Sequence, residues 1–354
     1  MQTVANAADN LEGILLDTGW EVVERITKSD TATGSFFSVC YIVKKNGERC
    51  FLKAFDFTKF FKVSGASRVV DVMADMLNAF RYERDLSELC QNSHVTKVAF
   101  VKGSGVQTVD GYTIPSVPYL IFDMADGDVR NRLALSDKLD FTWKLYSLHS
   151  IATGLKQLHS IGVSHQDLKP SNILVFKEES KIGDLGRSVC DRIDSPLKLL
   201  SFTGDLNYAP PEVLYGYVIQ DAKLRAYLAD CYLLGSMTVY YFSNVSMSAL
   251  LSHFIPEELS CDRWTGTFED IQHYLLEAFE KSLNIFYYQL KLSTSEYFAE
   301  ELKNIVKYLC YPIPEFRGHP KNLSSKGKNY DLERFISKFD LLHRKAKIDF
   351  VKKV

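Results

Sequence analysis

The chain has 354 residues, 46% of them hydrophobic and 24% charged, with 42 Lys and Arg against 44 Asp and Glu. That length and balance suggest two domains or one two-lobed unit, and exclude disordered, collagen-like, coiled-coil and disulfide-miniprotein classes. A formal charge of −2 supplies no overall attraction to nucleic acid or acidic membranes, so neither is expected as a partner. The 23 Phe, 19 Tyr and 3 Trp read as a large aromatic core. Seven cysteines, at 40, 50, 90, 190, 231, 261 and 310, show no C-x-x-C spacing and read as buried thiols in a reducing compartment. No basic residue precedes Trp20, so the start does not resemble a secretory signal, and the apolar run Cys231 to Phe242 is too short to span a bilayer. The expected location is cytoplasmic.

Residues 1–19 read as an N-terminal extension. From 20 to 57 the pattern is strand-like: Ser38 to Val43, a hairpin turn at Lys44-Lys45-Asn46-Gly47, and a return strand from Cys50 to Phe55. Val72, Met76, Phe80, Glu83, Leu86 and Cys90 share one face of a helix predicted over 69–90. Another strand pair frames Asp110-Gly111 and ends in Tyr119-Leu120-Ile121-Phe122. After Asp126-Gly127 the character turns helical, with Leu145, Leu148, Ile151, Ala152, Leu155 and Leu158 forming an apolar stripe. Segments 226–242, 268–290 and 298–309 are also helical, and Leu332, Phe335, Ile336, Phe339 and Leu342 mark a last amphipathic helix with a basic end. The predicted organisation is an extension (1–19), a β-rich lobe (20–124), an α-rich lobe (125–320) and a C-terminal linker and helix (321–354).

The chemistry concentrates in His165-Gln166-Asp167-Leu168-Lys169-Pro170-Ser171-Asn172, followed by Gly183-Asp184-Leu185-Gly186. Phosphoryl transfer needs a carboxylate to accept a hydroxyl proton, a cation for the moving phosphoryl group, and oxygen ligands for Mg²⁺. Asp167 suits the first role, Lys169 the second, and Asn172 with Asp184 the third.

These motifs and their order are similar to those of the eukaryotic-type (Hanks-type) serine/threonine protein kinases, of the bacterial kind. The resemblance covers residues 20 to 320 and implies an α+β, bilobal fold with a β-rich N-lobe carrying one major helix and an α-helical C-lobe. It implies ATP and Mg²⁺ as cofactors and a protein as substrate. Lys53 matches the lysine that grips the ATP phosphates, with Glu83 as its partner and Glu88 in reserve. Gly34, in Ala32-Thr33-Gly34-Ser35-Phe36-Phe37, stands in the position of the glycine-rich loop. Phe122 aligns as gatekeeper, Asp123 and Met124 would offer backbone to adenine, Asp128 a carboxylate to ribose, and Leu174 a floor under the base. Glu212 is expected to pair with Arg317, and Asp230 to anchor the catalytic loop.

The departures are specific. Gln166 replaces an arginine, which removes the usual pocket for an activating phosphate although Ser188, Ser195, Ser201 and Thr203 are available. Asp205 replaces a threonine and could either repel Asp167 or hold Lys169. Phe51 occupies a small-residue position above adenine, Phe37 restricts the glycine loop, and Leu185 replaces a phenylalanine. His149 and His159 read as packing or cap residues. A nucleotide-binding scaffold without turnover and a small-molecule kinase stay open as alternatives, and neither oligomeric state nor substrate identity is readable.

Overall fold

A computed structural model describes residues 6–27, 37–63, 68–134, 141–324 and 328–351. The chain forms two compact units: Met1–Asp126 with Gly183–Gly186 and Arg192–Pro196, and Gly127–Ile182 with Arg187–Asp191 and Leu197–Val354.

The first unit is built on a five-stranded antiparallel sheet: β1 Glu21–Arg25, β2 Ser38–Lys45, β3 Glu48–Phe55, β4 Val101–Thr108 and β5 Ser116–Asp123, in the order β1-β2-β3-β5-β4. Asn46 (φ 51°) and Gly47 (φ 83°) both take positive φ, which a two-residue turn needs to match the twist of β2 and β3. Side chains alternate across the sheet, so β3 sends Leu52 and Ala54 to one face and Phe51, Lys53 and Phe55 to the other. Helices α1 (Phe57–Val63) and α2 (Val69–Asn92) cover the second face, where Val72, Met76 and Phe80 pack with Phe55, Leu120 and Phe122. Glu83 interrupts the buried stripe of α2 with a carboxylate. Helix α1 lies in the insertion after Asp56, whose carboxylate accepts from the N–H groups of Thr58 and Lys59.

The opposite face of the sheet is closed by residues 7–20. Ala7, Ala8, Leu11, Leu16 and Trp20 are buried against Val22, Tyr41, Leu52 and Tyr119. Tyr41 Oη donates to Ala8 O at 2.6 Å, and Thr18 Oγ1 shares a 2.7 Å hydrogen bond with Tyr119 Oη.

The second unit contains β6 Gly127–Asp128, α3 Val129–Ala134, α4 Phe141–Ser160, β7 Val163–Ser164, β8 Ile173–Phe176, β9 Glu179–Ile182 and β10 Val189–Cys190. It continues through α5 Pro211–Leu214, α6 Ala222–Ser243, α7 Met247–Phe254, α8 Phe268–Ser293, α9 Glu296–Leu309, α10 Pro320–Leu323 and α11 Glu333–Val351. All six residues of the predicted α4 stripe are fully buried. Helix α6 is buried almost all round from Ala226 to Val239, the mark of a central helix, and still carries Asp230. Phe335, Phe339 and Leu342 bury the apolar face of α11, which packs on α4. Lys156 of α4 reaches Asp331 and Glu333 at 3.2 and 2.5 Å beside the start of α11.

Arg317 is fully buried and grips Glu212 with two nitrogens at 2.7 and 2.8 Å, the pairing expected from sequence. All seven cysteines are free thiols; six are buried, but Cys261 is exposed, correcting the expectation of uniformly buried thiols. Cys261 lies in the connection between α7 and α8, outside the regular elements, whereas the other six lie within them or, for Cys310, cap α9. Among the described residues no helix is long and apolar enough to cross a membrane.

Candidate active site

In the first unit the strand period turns Lys53 toward α2, and the helix period turns Glu83 toward β3. The Lys53 ammonium donates to both Glu83 oxygens at 2.9 and 2.8 Å and to Asp184 Oδ1 at 2.9 Å. Burial disfavours the charged ammonium, but Asp184 and then Glu83 outweigh it, so Lys53 titrates above the ordinary lysine range. Glu88 is exposed on α2, which leaves the pairing to Glu83. Asp184 has φ 56°, a conformation uncommon outside glycine, and Gly186 beside it leaves room for Glu83: an added Cβ would meet Glu83 Oε2 at 3.1 Å. Gly34 lies outside the described residues. Phe37 packs its ring on Phe60 of α1 at 4.8 Å, so this aromatic belongs to a side-chain cluster.

At the end of β5, Phe122 is buried and is the register partner of Phe51, with ring centroids 6.4 Å apart. Asp123 and Met124 follow, both exposed. The Asp123 carboxylate accepts from Lys102 Nζ at 3.2 Å, and Lys102 also binds Glu48. The exposed carboxylates of Glu48 and Asp123, which lie close to the buried Cys50 thiol, therefore have a lysine as their counter-charge.

In the second unit Asp167, Lys169 and Asn172 are buried together. Asn172 Nδ2 donates to Asp167 O at 2.8 Å and to Asp167 Oδ2 at 3.1 Å. Lys169 Nζ lies 3.2 Å from Asp167 Oδ2 and 3.1 Å from Asp205 Oδ2. The N–H of Asp205 donates to Asp167 Oδ1 at 2.8 Å. Of the two outcomes expected for Asp205, it holds Lys169; its backbone also fixes the carboxylate it could have repelled. Burial would push the Asp205 carboxyl up, but the Asn207 N–H and Lys169 hold it below the usual carboxylate range. Gly204 makes this approach possible, since an added Cβ would sit 2.1 Å from Gln166 O.

Asp230 supports the loop from α6: its carboxylate accepts the N–H of His165 at 2.9 Å and of Gln166 at 2.7 Å. This holds Gln166 at φ 65°, a strained value for a non-glycine residue. The Gln166 amide donates to Ser164 Oγ and Ala226 O, both at 2.8 Å, so a neutral buried group stands where a cation was missing from the sequence. His159 packs, as read from the sequence, with its ring stacked on Tyr227 at 4.1 Å, and its Nε2 also lies 2.8 Å from Asp230 Oδ2. Burial would raise the Asp230 carboxyl, but His159, His165 and the Gln166 N–H keep it below its ordinary value. Asp128 and Leu174 are register partners in β6 and β8. The Asp128 carboxylate caps α3, accepting from Arg130 N at 2.8 Å, Asn131 N at 3.2 Å and Arg130 Nη2 at 2.6 Å.

A family model described as "Protein kinase domain" matches residues 106–325. The chain belongs to the protein kinase domain family. Among curated relatives, it is 33% identical over 114 residues to the mitogen-activated protein kinase mpkC of Aspergillus niger, covering 32% of this chain and 28% of that protein. It is 34% identical over 114 residues to mitogen-activated protein kinase hog1 of Botryotinia fuckeliana, covering 32% and 31%, and to HOG1 of Exserohilum turcicum, covering 32% and 33%. The matches span about a third of the length of these kinases. All three relatives are fungal, so the bacterial branch draws no support from them.

Proposed function

We propose that this chain is an ATP- and Mg²⁺-dependent serine/threonine protein kinase. The observation that carries the reading is the convergence of Lys169 and Asn172 on the Asp167 carboxylate, at 3.2 and 3.1 Å. An acceptor hydroxyl attacks the γ-phosphorus of ATP, the bond to the β,γ-bridging oxygen breaks, and ADP leaves. Asp167 orients the hydroxyl and takes its proton; Lys169 balances charge on the transferred group. Lys53, held by Glu83, is the cation for the ATP phosphates. Asp123 and Met124 offer backbone to adenine, and Leu174 an apolar surface to the base.

Asn172 and Asp184 supply oxygen donors of the kind Mg²⁺ takes. The Asn172 amide nitrogen is engaged by Asp167, which directs its role as a ligand to the oxygen. When bound, Mg²⁺ neutralises phosphate charge. The Lys169-Pro170 pair and the Pro210-Pro211-Glu212 segment favour a protein acceptor over a small alcohol. Seven free thiols, six of them buried, fit a cytoplasmic setting.

The test is phosphate transfer from labelled ATP to casein with Mg²⁺, wild type against Asp167→Asn. Transfer by the wild type far above the variant is expected; equal transfer by both removes the reading.

A further inference from the structure

Glu48, Cys50 and Asp123 bring two carboxylates and a thiol together in the first unit, with their donor atoms within 4.8 Å of one another. Strand geometry accounts for the grouping. Glu48 and Cys50 are two positions apart on β3 and so share a face, and Asp123 is the register partner of Cys50 on β5. The two carboxylates are exposed. Cys50 is fully buried, in the apolar cluster that also holds Val22, Tyr41 and Val43. Its thiol makes no hydrogen bond among the described residues, yet it lies against the two acids. A surface acid pair with a buried sulfur as its floor has the donor set of a metal site rather than of a plain ion pair.

Lys102 supplies the present counter-charge. The β4–β5 register shifts between Val101 and Gly103, which makes Lys102 an extra residue in β4, a bulge of the kind that re-aims a side chain. Its ammonium reaches Glu48 and, at 3.2 Å, Asp123. The Lys102 side chain is 37% exposed, so moving it away breaks surface ion pairs and leaves the core intact.

We propose that Glu48, Cys50 and Asp123 form a binding site for a thiolate-preferring divalent cation of the Zn²⁺ class, and that Lys102 is the cation it displaces. A tetrahedral ion ~2.1 Å from each oxygen and ~2.3 Å from the sulfur holds these atoms ~3.5 Å apart. Rotation of the exposed Glu48 and Asp123 side chains closes that difference with both strands in place. Water completes the fourth position from the solvent side. On uptake the Cys50 S–H bond breaks, its electron pair goes to the metal, and the proton leaves to solvent. Two carboxylates and a thiolate around a divalent ion carry one net negative charge, the same as the two carboxylates with Lys102. The sulfur selects against Mg²⁺, which takes oxygen ligands in octahedral geometry. This site is therefore chemically distinct from the oxygen donors of Asn172 and Asp184.

The probe is Co²⁺, which takes the same ligands as Zn²⁺ and reports a bound thiolate through a near-ultraviolet charge-transfer band. The whole chain is used without ATP and with Cys261→Ser, which removes the exposed thiol. It should bind about one equivalent of Co²⁺ with that band; Zn²⁺ should abolish the band and excess Mg²⁺ should not. Cys50→Ser should lose the band. Two surface variants keep the test clear of any effect on folding. Glu48→Gln should weaken Co²⁺ binding about tenfold. Lys102→Met removes the competing ammonium and should tighten it about fivefold. Absence of the band, Co²⁺ bound without it, or a band whose titration is unmoved by Glu48→Gln and Lys102→Met overturns the site. None of these readouts involves phosphate transfer, so the kinase reading stands or falls separately.

Discussion

Asp205 and Lys169 form a charge pair at 3.1 Å, and the backbone of the same aspartate donates to Asp167 at 2.8 Å. The lysine is therefore shared by two carboxylates, Asp167 and Asp205. Its position is defined from both sides before any phosphate arrives.

Removing one side should cost catalysis more than binding. Asp205→Ala should lower kcat for phosphate transfer about tenfold, the equivalent of about 1.4 kcal/mol, with a smaller change in KM for ATP. Asp205→Thr should fall between the two, since a hydroxyl can accept from Lys169 but brings no charge. Steady-state kinetics on a protein substrate would show it, and an unchanged kcat in Asp205→Ala would refute the role.

Lys53 has the complementary dependence. Glu83→Gln leaves Asp184 as the remaining charged partner of Lys53 and removes the contact that orients it from α2. ATP affinity and kcat/KM should both fall, by about 10²-fold in kcat/KM, while Glu88→Gln should be neutral because that side chain is exposed. Nucleotide titration and kinetics on the two variants separate these outcomes.

Arg317 and Glu212 are a stability device. Arg317→Met leaves the Glu212 carboxylate buried and unpaired, and should destabilise the chain by about 3–5 kcal/mol in denaturant unfolding. Arg317→Met with Glu212→Leu should recover much of that loss, because two apolar groups need no desolvated charge. A double variant no better than the single would contradict this.

His319 supplies a pH dependence with a definite sign. Its Nδ1 accepts from Lys321 N at 3.2 Å at the start of α10, and its ring meets Phe335 at 5.9 Å. Burial, then Arg334, Lys321 and Lys338, hold its pKa below the ordinary 6.5. The unfolded chain therefore takes this proton first, at about pH 6.5, and stability falls as pH drops from there toward the folded value. Above about pH 6.5 the contribution is complete. His319→Asn keeps an acceptor for the cap and should flatten that part of a urea-midpoint profile.

Much of the site was legible because its chemistry fixes residue types at short offsets. Asp167, Lys169 and Asn172 sit within one loop, and the structure joins them. Glu83 stood out as a carboxylate in an apolar helical stripe, which burial and Lys53 explain. What was missed depends on partners far along the chain. His159 meets Asp230, 71 positions away, and a lone histidine near a helix end carries no sign of that. The choice for Asp205 between repelling Asp167 and holding Lys169 turns on a backbone N–H, which every residue has. The alternation of β3 and β5 indicated two buried faces but not that residues 7–20 close one of them.

That closure bears on how the chain can be shortened. A fragment starting at Trp20 would strip Leu11 and Leu16 from the sheet and leave the Tyr41 and Tyr119 hydroxyls without Ala8 O and Thr18. The face so uncovered is apolar and strand-built, the kind of surface that drives self-association. Turbidity or insolubility in such fragments would report a broken sheet cover, and says nothing about the competence of Lys53 or Asp167.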